Sequence, residues 1–213
     1  MNNQTEVKII DIGLGNIASI QNMLKKIGFD SERMTEPIIS ENKPDLLILP
    51  GVGSYDYAMK KLNDGGWVEF IQKIASEKST PIMGICLGMQ LLCEGSEEGK
   101  LDGLSLIPGH FRKFQKNEDQ PKLKVPHMGW NEVHFQNSAE WMSRGYEKTP
   151  RYYFVHSYYY THDTSDYVAG ETHYGVTYAS AIQNGNVFGF QFHPEKSHKF
   201  GMNLFRNVME KIC

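Results

Sequence analysis

The chain has 213 residues, 22 Lys and Arg against 25 Asp and Glu, and 40% apolar residues. That is enough apolar content for a packed core and too little cationic excess to neutralise phosphates, so nucleic-acid binding is not expected. No apolar run approaches ~18 residues, which excludes a helical membrane span, and the opening MNNQTEVKIIDIG lacks the basic and apolar regions of a secretory signal.

In chain order, residues 7–12 read as a short apolar strand. Residues 16–27 then carry Ile17, Ile20, Leu24 and Ile27 at helical spacing, with Gly28 suited to the helix end. Residues 45–49 (DLLIL) read as a buried strand stopped by Pro50 and Gly51. Residues 55–62 and 67–78 read as helices, 81–85 as a strand and 87–93 as a helix. Beyond residue 108 the pattern changes. Strand character appears over 109–116, 132–136, 152–160, 176–183 and 187–192, with Asn184-Gly185 as a hairpin signal between the last two. Residues 199–212 form an amphipathic closing helix. The expected fold is a single α/β domain over residues 1–213: a central, mostly parallel sheet flanked by helices, with an antiparallel extension.

Gly84-Ile85-Cys86-Leu87-Gly88 lies between an apolar strand and a helix, the G-x-nucleophile-x-G pattern with cysteine as nucleophile. A nucleophile at so tight a turn needs small neighbours. The turn exposes its side chain at the carboxyl end of the sheet, and the positive end of the helix there favours an anion. The Leu87 amide then points where an oxyanion would form. A cysteine nucleophile needs a base, and the base needs an orienting group. Of the eight histidines, His193 opens His193-Pro194-Glu195 at the end of a strand, so Glu195 can turn back to its second ring nitrogen. Pro50-Gly51-Val52-Gly53 ends another strand, and an amide of this loop can supply a second oxyanion donor. Taken singly, each feature has an ordinary structural explanation: a core cysteine, a loop histidine, a plain turn.

Other readings compete. Gly13-Leu14-Gly15-Asn16-Ile17-Ala18 with Asp30 downstream fits a loose dinucleotide-binding signature. A cysteine peptidase on the same fold, or a non-catalytic regulatory binding module, would also use such a domain. No C-x-x-C or H-E-x-x-H occurs, so no metal site is expected. Cys93 reads as core filler and Cys213 as a terminal residue. An odd cysteine count without a disulfide framework suggests a reducing, cytoplasmic setting.

Taken together, DIGLGNIASI, PGVGSYDYAM, GICLGMQLLCEGSEEG, KVPHMGWN, YYFVHSYYY and FGFQFHPEKS closely resemble, in order and over nearly the whole chain, the class I (triad-type) glutamine amidotransferases. Within them the chain is similar to the glutaminase subunits of imidazole glycerol phosphate synthase. The resemblance implies hydrolysis of L-glutamine by a Cys86–His193–Glu195 triad. It implies an oxyanion hole at Leu87, Val52 and Gly53, and substrate contacts from Gly51, Gly53, Gln90, Glu98, Ser157 and Tyr158. It implies no cofactor. It also implies a heterodimer with a (β/α)8-barrel cyclase or synthase subunit that receives the ammonia, with Trp130, Asn131 and Lys196 facing that partner. Trp130 could instead be a core residue. HisLysPheGlyMet at residues 198–202 resembles a branch in which the same half reaction feeds amidination of an acetamido sugar in surface-polysaccharide synthesis. Both acceptors stay open at this point.

Overall fold

A computed structural model describes residues 5–38, 43–115 and 123–212. Cys213, and Lys116 at the end of one expected strand, lie outside the described residues. The large sheet takes the order β2-β1-β3-β4-β13-β12-β10-β6-β5, with β11 paired to β12 and β8 to β11. Its parallel part comprises β1 (Val7–Ile10), β2 (Ser31–Met34), β3 (Leu46–Gly51), β4 (Ile82–Cys86) and β13 (Val187–Phe190). The antiparallel extension is built by β12 (Val176–Asn184), β10 (Tyr158–Thr161), β6 (His110–Lys113), β11 (Val168–Tyr174) and β8 (His134–Phe135), while β5 (Gly95–Ser96) runs parallel to β6. A separate two-stranded antiparallel sheet joins β7 (His127–Glu132) to β9 (Arg151–His156).

Alternation along the strands assigns the two faces. In β3, Leu46 and Ile48 pack with α1 (Ile17–Lys26) and α5 (His198–Ile212), whereas Leu47 and Leu49 pack with α2 (Tyr55–Asp64) and α3 (Trp67–Glu77). Successive strand side chains point to opposite faces, so a run buried throughout requires cover on both. The helices supply it with apolar stripes such as Ile17, Ile20 and Leu24, or Leu204, Phe205 and Val208.

Several expected elements change in extent. The DLLIL strand continues through Pro50 to Gly51, because Gly51 still pairs with Cys86 of β4. Helix α4 covers only Leu87–Leu91, not 87–93. Its dipole is correspondingly small, so the anion-favouring effect expected of it is weak. The strand expected over 132–136 divides at Val133 between β7 and β8, and that over 152–160 divides at Ser157 between β9 and β10. In the β12–β13 hairpin Asn184 pairs with Val187, so the loop is Gly185-Asn186, one residue later than expected. Strands β2 and β11 lie where no strand is expected from the sequence. Among the described residues no helix is long and apolar enough to cross a membrane.

The crossing of α4 over β3 and β4 fixes the carboxyl end of the sheet. A Cβ on Gly88 would run into the Leu49 carbonyl oxygen, and one on Gly84 would lie 2.7 Å from both the Met89 nitrogen and Leu92 Cδ1. The backbone contacts among these cannot be relieved by any rotamer change. Gly88→Ala is therefore expected to destabilise the protein by about 2–4 kcal/mol. Denaturant titration checks it, and a loss under about 0.5 kcal/mol would show that α4 can lift off the sheet freely.

Candidate active site

Cys86 ends β4 and immediately precedes α4. Its backbone is held at φ 54° and ψ −109°, outside the regions that L residues ordinarily occupy. The strain is sustained by register on both sides: Gly51 of β3 lies opposite Cys86, and Phe190 of β13 lies opposite Ile85. The side chain is thereby presented into a cavity of about 310 Å³.

The same register delivers the histidine. The chain leaving β13 passes beside the end of β4, and His193 arrives buried, at 1% exposure. Its backbone is clamped against β9. The His193 N–H donates to the Tyr153 carbonyl at 2.9 Å, while the Ser197 hydroxyl donates to the His193 carbonyl at 2.6 Å and accepts from the Tyr153 N–H at 3.0 Å. Pro194 opens a 3₁₀ turn (Pro194–Lys196) that folds Glu195 back, so its Oε1 meets His193 Nδ1 at 2.8 Å. The pair is almost wholly withdrawn from water, with side-chain exposures of 2% each.

His193 Nε2 is buried and makes no hydrogen bond in this conformation. Burial, the largest single influence, works against a charged imidazole. The neighbouring Cys86 sulfur and the Glu195 carboxylate together outweigh it and push the His193 pKa up to about 10. Such a histidine readily takes a proton from an acid beside it.

Of the residues singled out from sequence, Cys86, Leu87, Val52, Gly53, Gln90, Glu98, Ser157, Tyr158, His193 and Lys196 all line this one cavity. Glu195 stands behind His193, and Gly51 lies beside Cys86 in the sheet. Glu98 is partly desolvated. That burial, reinforced by the nearby Asp56 charge, raises its pKa although the Tyr55 backbone opposes the rise, and Glu98 in turn contributes to raising the Tyr158 pKa. A carboxylate so placed favours a cation beside it. Trp130 and Asn131 sit off the cavity on β7. Trp130 is 40% exposed and stacks on His198 with ring centroids 5.6 Å apart, so it is not a core residue. Among the described residues no cluster of three His, Cys, Asp or Glu side chains could hold a metal ion.

Sequence reasoning missed Gln191, Pro126 and Val155. Gln191 is fully buried beyond β13. Its amide N–H points at Cys86 Sγ (3.8 Å) and its carbonyl accepts from the Gln90 amide at 3.2 Å. Within the apolar run FGFQFH a glutamine signals something polar packed opposite, and that signal lies in the sequence. Val155 on β9 and Pro126 just before β7 also line the cavity, and no local pattern reports the pairing of β7 with β9 that places them there. His156, which lines the cavity, and its neighbour His127 are both buried. Desolvation lowers the pKa of His127 to about 4 and that of His156 to about 3.

Residues 8–212 match the family described as glutamine amidotransferase class-I. The chain is 43% identical to imidazole glycerol phosphate synthase subunit HisH 2 of Methanococcus maripaludis, over 96% of this chain and 99% of that protein. It is also 43% identical to the HisH 2 subunit of Pseudomonas aeruginosa, over 97% and 100%. Among solved structures, PurLQS from Thermotoga maritima superposes with a TM-score of 0.74 at 19% identity, covering 99% of this chain and all (100%) of that one. The crystal structure of a glutamine amidotransferase gives 0.74 at 16% identity, covering 97% and 98%. At such identities the likeness concerns the fold.

The two neutral histidines have a consequence for stability. Their folded pKa values lie below the ordinary 6.5, so below that pH the unfolded chain binds more protons than the folded one. Stability should therefore fall as pH drops from ~6.5 towards ~4, each group costing roughly 1.4 kcal/mol per pH unit. Denaturation midpoints at pH 7 and pH 5 test this against His127→Phe, which keeps an aromatic ring between Phe154 and Tyr174. The wild type should lose more than the variant, and equal losses would show that His127 does not titrate as a buried neutral group.

Proposed function

The chain belongs to the class I glutamine amidotransferases, and on that premise we propose that Cys86, His193 and Glu195 hydrolyse L-glutamine to glutamate and ammonia as the glutaminase subunit of an imidazole glycerol phosphate synthase. The observation that carries this reading is the convergence, in one cavity, of a positive-φ cysteine and a histidine whose other nitrogen is bonded to a buried carboxylate at 2.8 Å.

Cys86 Sγ attacks the carboxamide carbon while its proton passes to His193 Nε2. Glu195 accepts from the Nδ1–H and stabilises the imidazolium. The tetrahedral oxyanion is held by the amides of Leu87 and of the Val52–Gly53 turn. Its collapse breaks the C–N bond, and His193 gives its proton to the departing ammonia. The remaining thioester is cleaved by a water that His193 deprotonates, which releases glutamate and restores the thiol. Gln90, Ser157 and Tyr158 hold the amino acid, with Gly51 and Gly53 shaping the wall, and Glu98 meets the α-ammonium. Its partly desolvated carboxylate beside Asp56 favours that cation.

We assign residues 1–213 to one glutaminase domain acting in the cytoplasm as a heterodimer with a (β/α)8-barrel subunit that takes the ammonia. The exposed apolar side chains Met128 and Trp130 on β7, with Asn131 beside them and Lys196 at the cavity mouth, suit such an interface. The names carried by the relatives favour the histidine-pathway acceptor over an acetamido sugar.

Glutamate release by the purified chain tests the reading, alone and with a barrel subunit plus either acceptor. Weak turnover alone and strong stimulation by the imidazole-ribonucleotide precursor are expected. Stimulation by an activated acetamido sugar would reassign the pathway, and equal turnover with and without the barrel would overturn the coupling. Cys86→Ala should fold normally and retain less than ~1% activity, as removal of a nucleophile does. Trp130→Ala should weaken the complex about tenfold or more if Trp130 anchors it, read by titration of the barrel subunit.

A further inference from the structure

The chain leaves the small sheet at His156 and enters the large one at Tyr158, so Ser157 alone makes the crossing. Val155, His156, Ser157 and Tyr158 all line the cavity. A bend of one residue between two sheets lacks a continuous ladder to fix its angle. One backbone bond, from the Phe114 N–H to the Ser157 carbonyl at 3.0 Å, helps. On either side the ladders hold His156 to His127 and Tyr158 to Lys113, and across the bend itself a side chain adds a restraint: His156 Nδ1 lies 2.7 Å from the Tyr158 carbonyl oxygen.

That contact fixes a tautomer. A carbonyl only accepts, so the proton is on Nδ1, and the neutral ring then offers a lone pair at Nε2. Tyr178 Oη lies 3.0 Å from that lone pair and also 3.0 Å from His127 Nδ1. On its far side His127 Nε2 faces the Asn131 amide nitrogen at 3.4 Å. The orientation of that amide is set by donation to the His173 carbonyl (2.9 Å) and acceptance from the Glu132 N–H (2.8 Å). One arrangement satisfies every atom. Asn131 donates to His127, His127 donates to Tyr178, Tyr178 donates to His156, and His156 donates to the Tyr158 carbonyl. His127 Nδ1 also lies 3.2 Å from His156 Nε2, so either donor can serve that lone pair. His127 and His156 are 3% and 5% exposed, and the proposed chemistry uses neither.

We propose that His156 is a positioning residue: its Nδ1–H bond to the Tyr158 carbonyl, with Nε2 locked by Tyr178 and His127, holds the Ser157–Tyr158 segment at the angle from which it grips the amino-acid end of the substrate. This rests on the glutaminase reading above. The segment acts away from the scissile amide. Loosening it weakens ground state and transition state alike, which raises KM and leaves kcat in place.

Two substitutions separate the halves of the imidazole. His156→Asn places an amide N–H where Nδ1–H stood and gives up the Tyr178 side. His156→Gln reaches the Tyr178 side and gives up the bond to Tyr158. Glutamine KM should stay within about threefold of wild type in His156→Asn and rise about tenfold in His156→Gln, the worth of one such hydrogen bond, with kcat little changed in both. Equal impairment of the two, a smaller effect in His156→Gln, or a loss confined to kcat would overturn the assignment. Nitrogen NMR of the full-length wild type decides it without a variant: His156 should carry its proton on Nδ1 near neutral pH, and an Nε2–H tautomer would overturn it. Absence of glutamine hydrolysis by the wild type would sink the glutaminase reading and leave the tautomer measurement to judge the restraint on the bend.

Discussion

The site depends on one backbone constraint, the positive-φ turn at Cys86. Left alone, a non-glycine residue there would relax towards an ordinary conformation, at a gain of order 1–3 kcal/mol. It does not relax because the flanking segments are over-determined. Cys86 is still paired to Gly51 of β3, Ile85 to Phe190 of β13, and α4 lies so close over β3 that Gly88 has no room for a side chain. The strain that turns the sulfur into the cavity is thus held by two strand ladders and a close helix crossing. The strand order β3-β4-β13 then brings the Pro50–Gly53 turn, Cys86 and His193 to the same edge.

Strand β9 is the second organiser. It receives His193 through the Tyr153 backbone, lends Ser197 an N–H to accept, places the Val155 carbonyl 3.9 Å from Cys86 Sγ, and ends in the residues that wall the cavity. One strand therefore touches Cys86, His193 and the cavity wall. Its buried polar groups are joined in series, so few donors or acceptors around it are left without a partner. His193 Nε2, Glu195 Oε2 and Gln90 Oε1 are unpartnered. A polar atom left unpaired in the interior is costly, and three of the five such atoms among the described residues belong to residues at or behind this cavity, the other two being Ser31 Oγ and Tyr55 Oη.

Legibility follows the range of the physics. The elbow at residues 84–88 is readable because its requirement for small neighbours is local. The helix faces are readable because a buried stripe imposes its own period. The run 152–160 reads as one strand because its alternation continues across Ser157 while the sheet beneath it changes. Strand β2, with the sequence Ser-Glu-Arg-Met, carries charges and lies at the edge of the sheet, so no apolar pattern marks it. Helix α4 reads too long because Leu92 and Cys93 continue an apolar pattern that serves the core after the helix has ended.

By itself the sequence determined the tight turn at Cys86, the carboxylate two residues beyond His193, and the apolar faces of the helices. Each of these is enforced between residues close along the chain. Tertiary structure alone decided that β13 lies beside β4, which carries the histidine singled out in the sequence to the cavity, and that Gln191, His127, Tyr178 and His156 form buried polar links around it. Those facts depend on strand order and register, which arise from burying both faces of one sheet at once, and no local stretch of sequence encodes them.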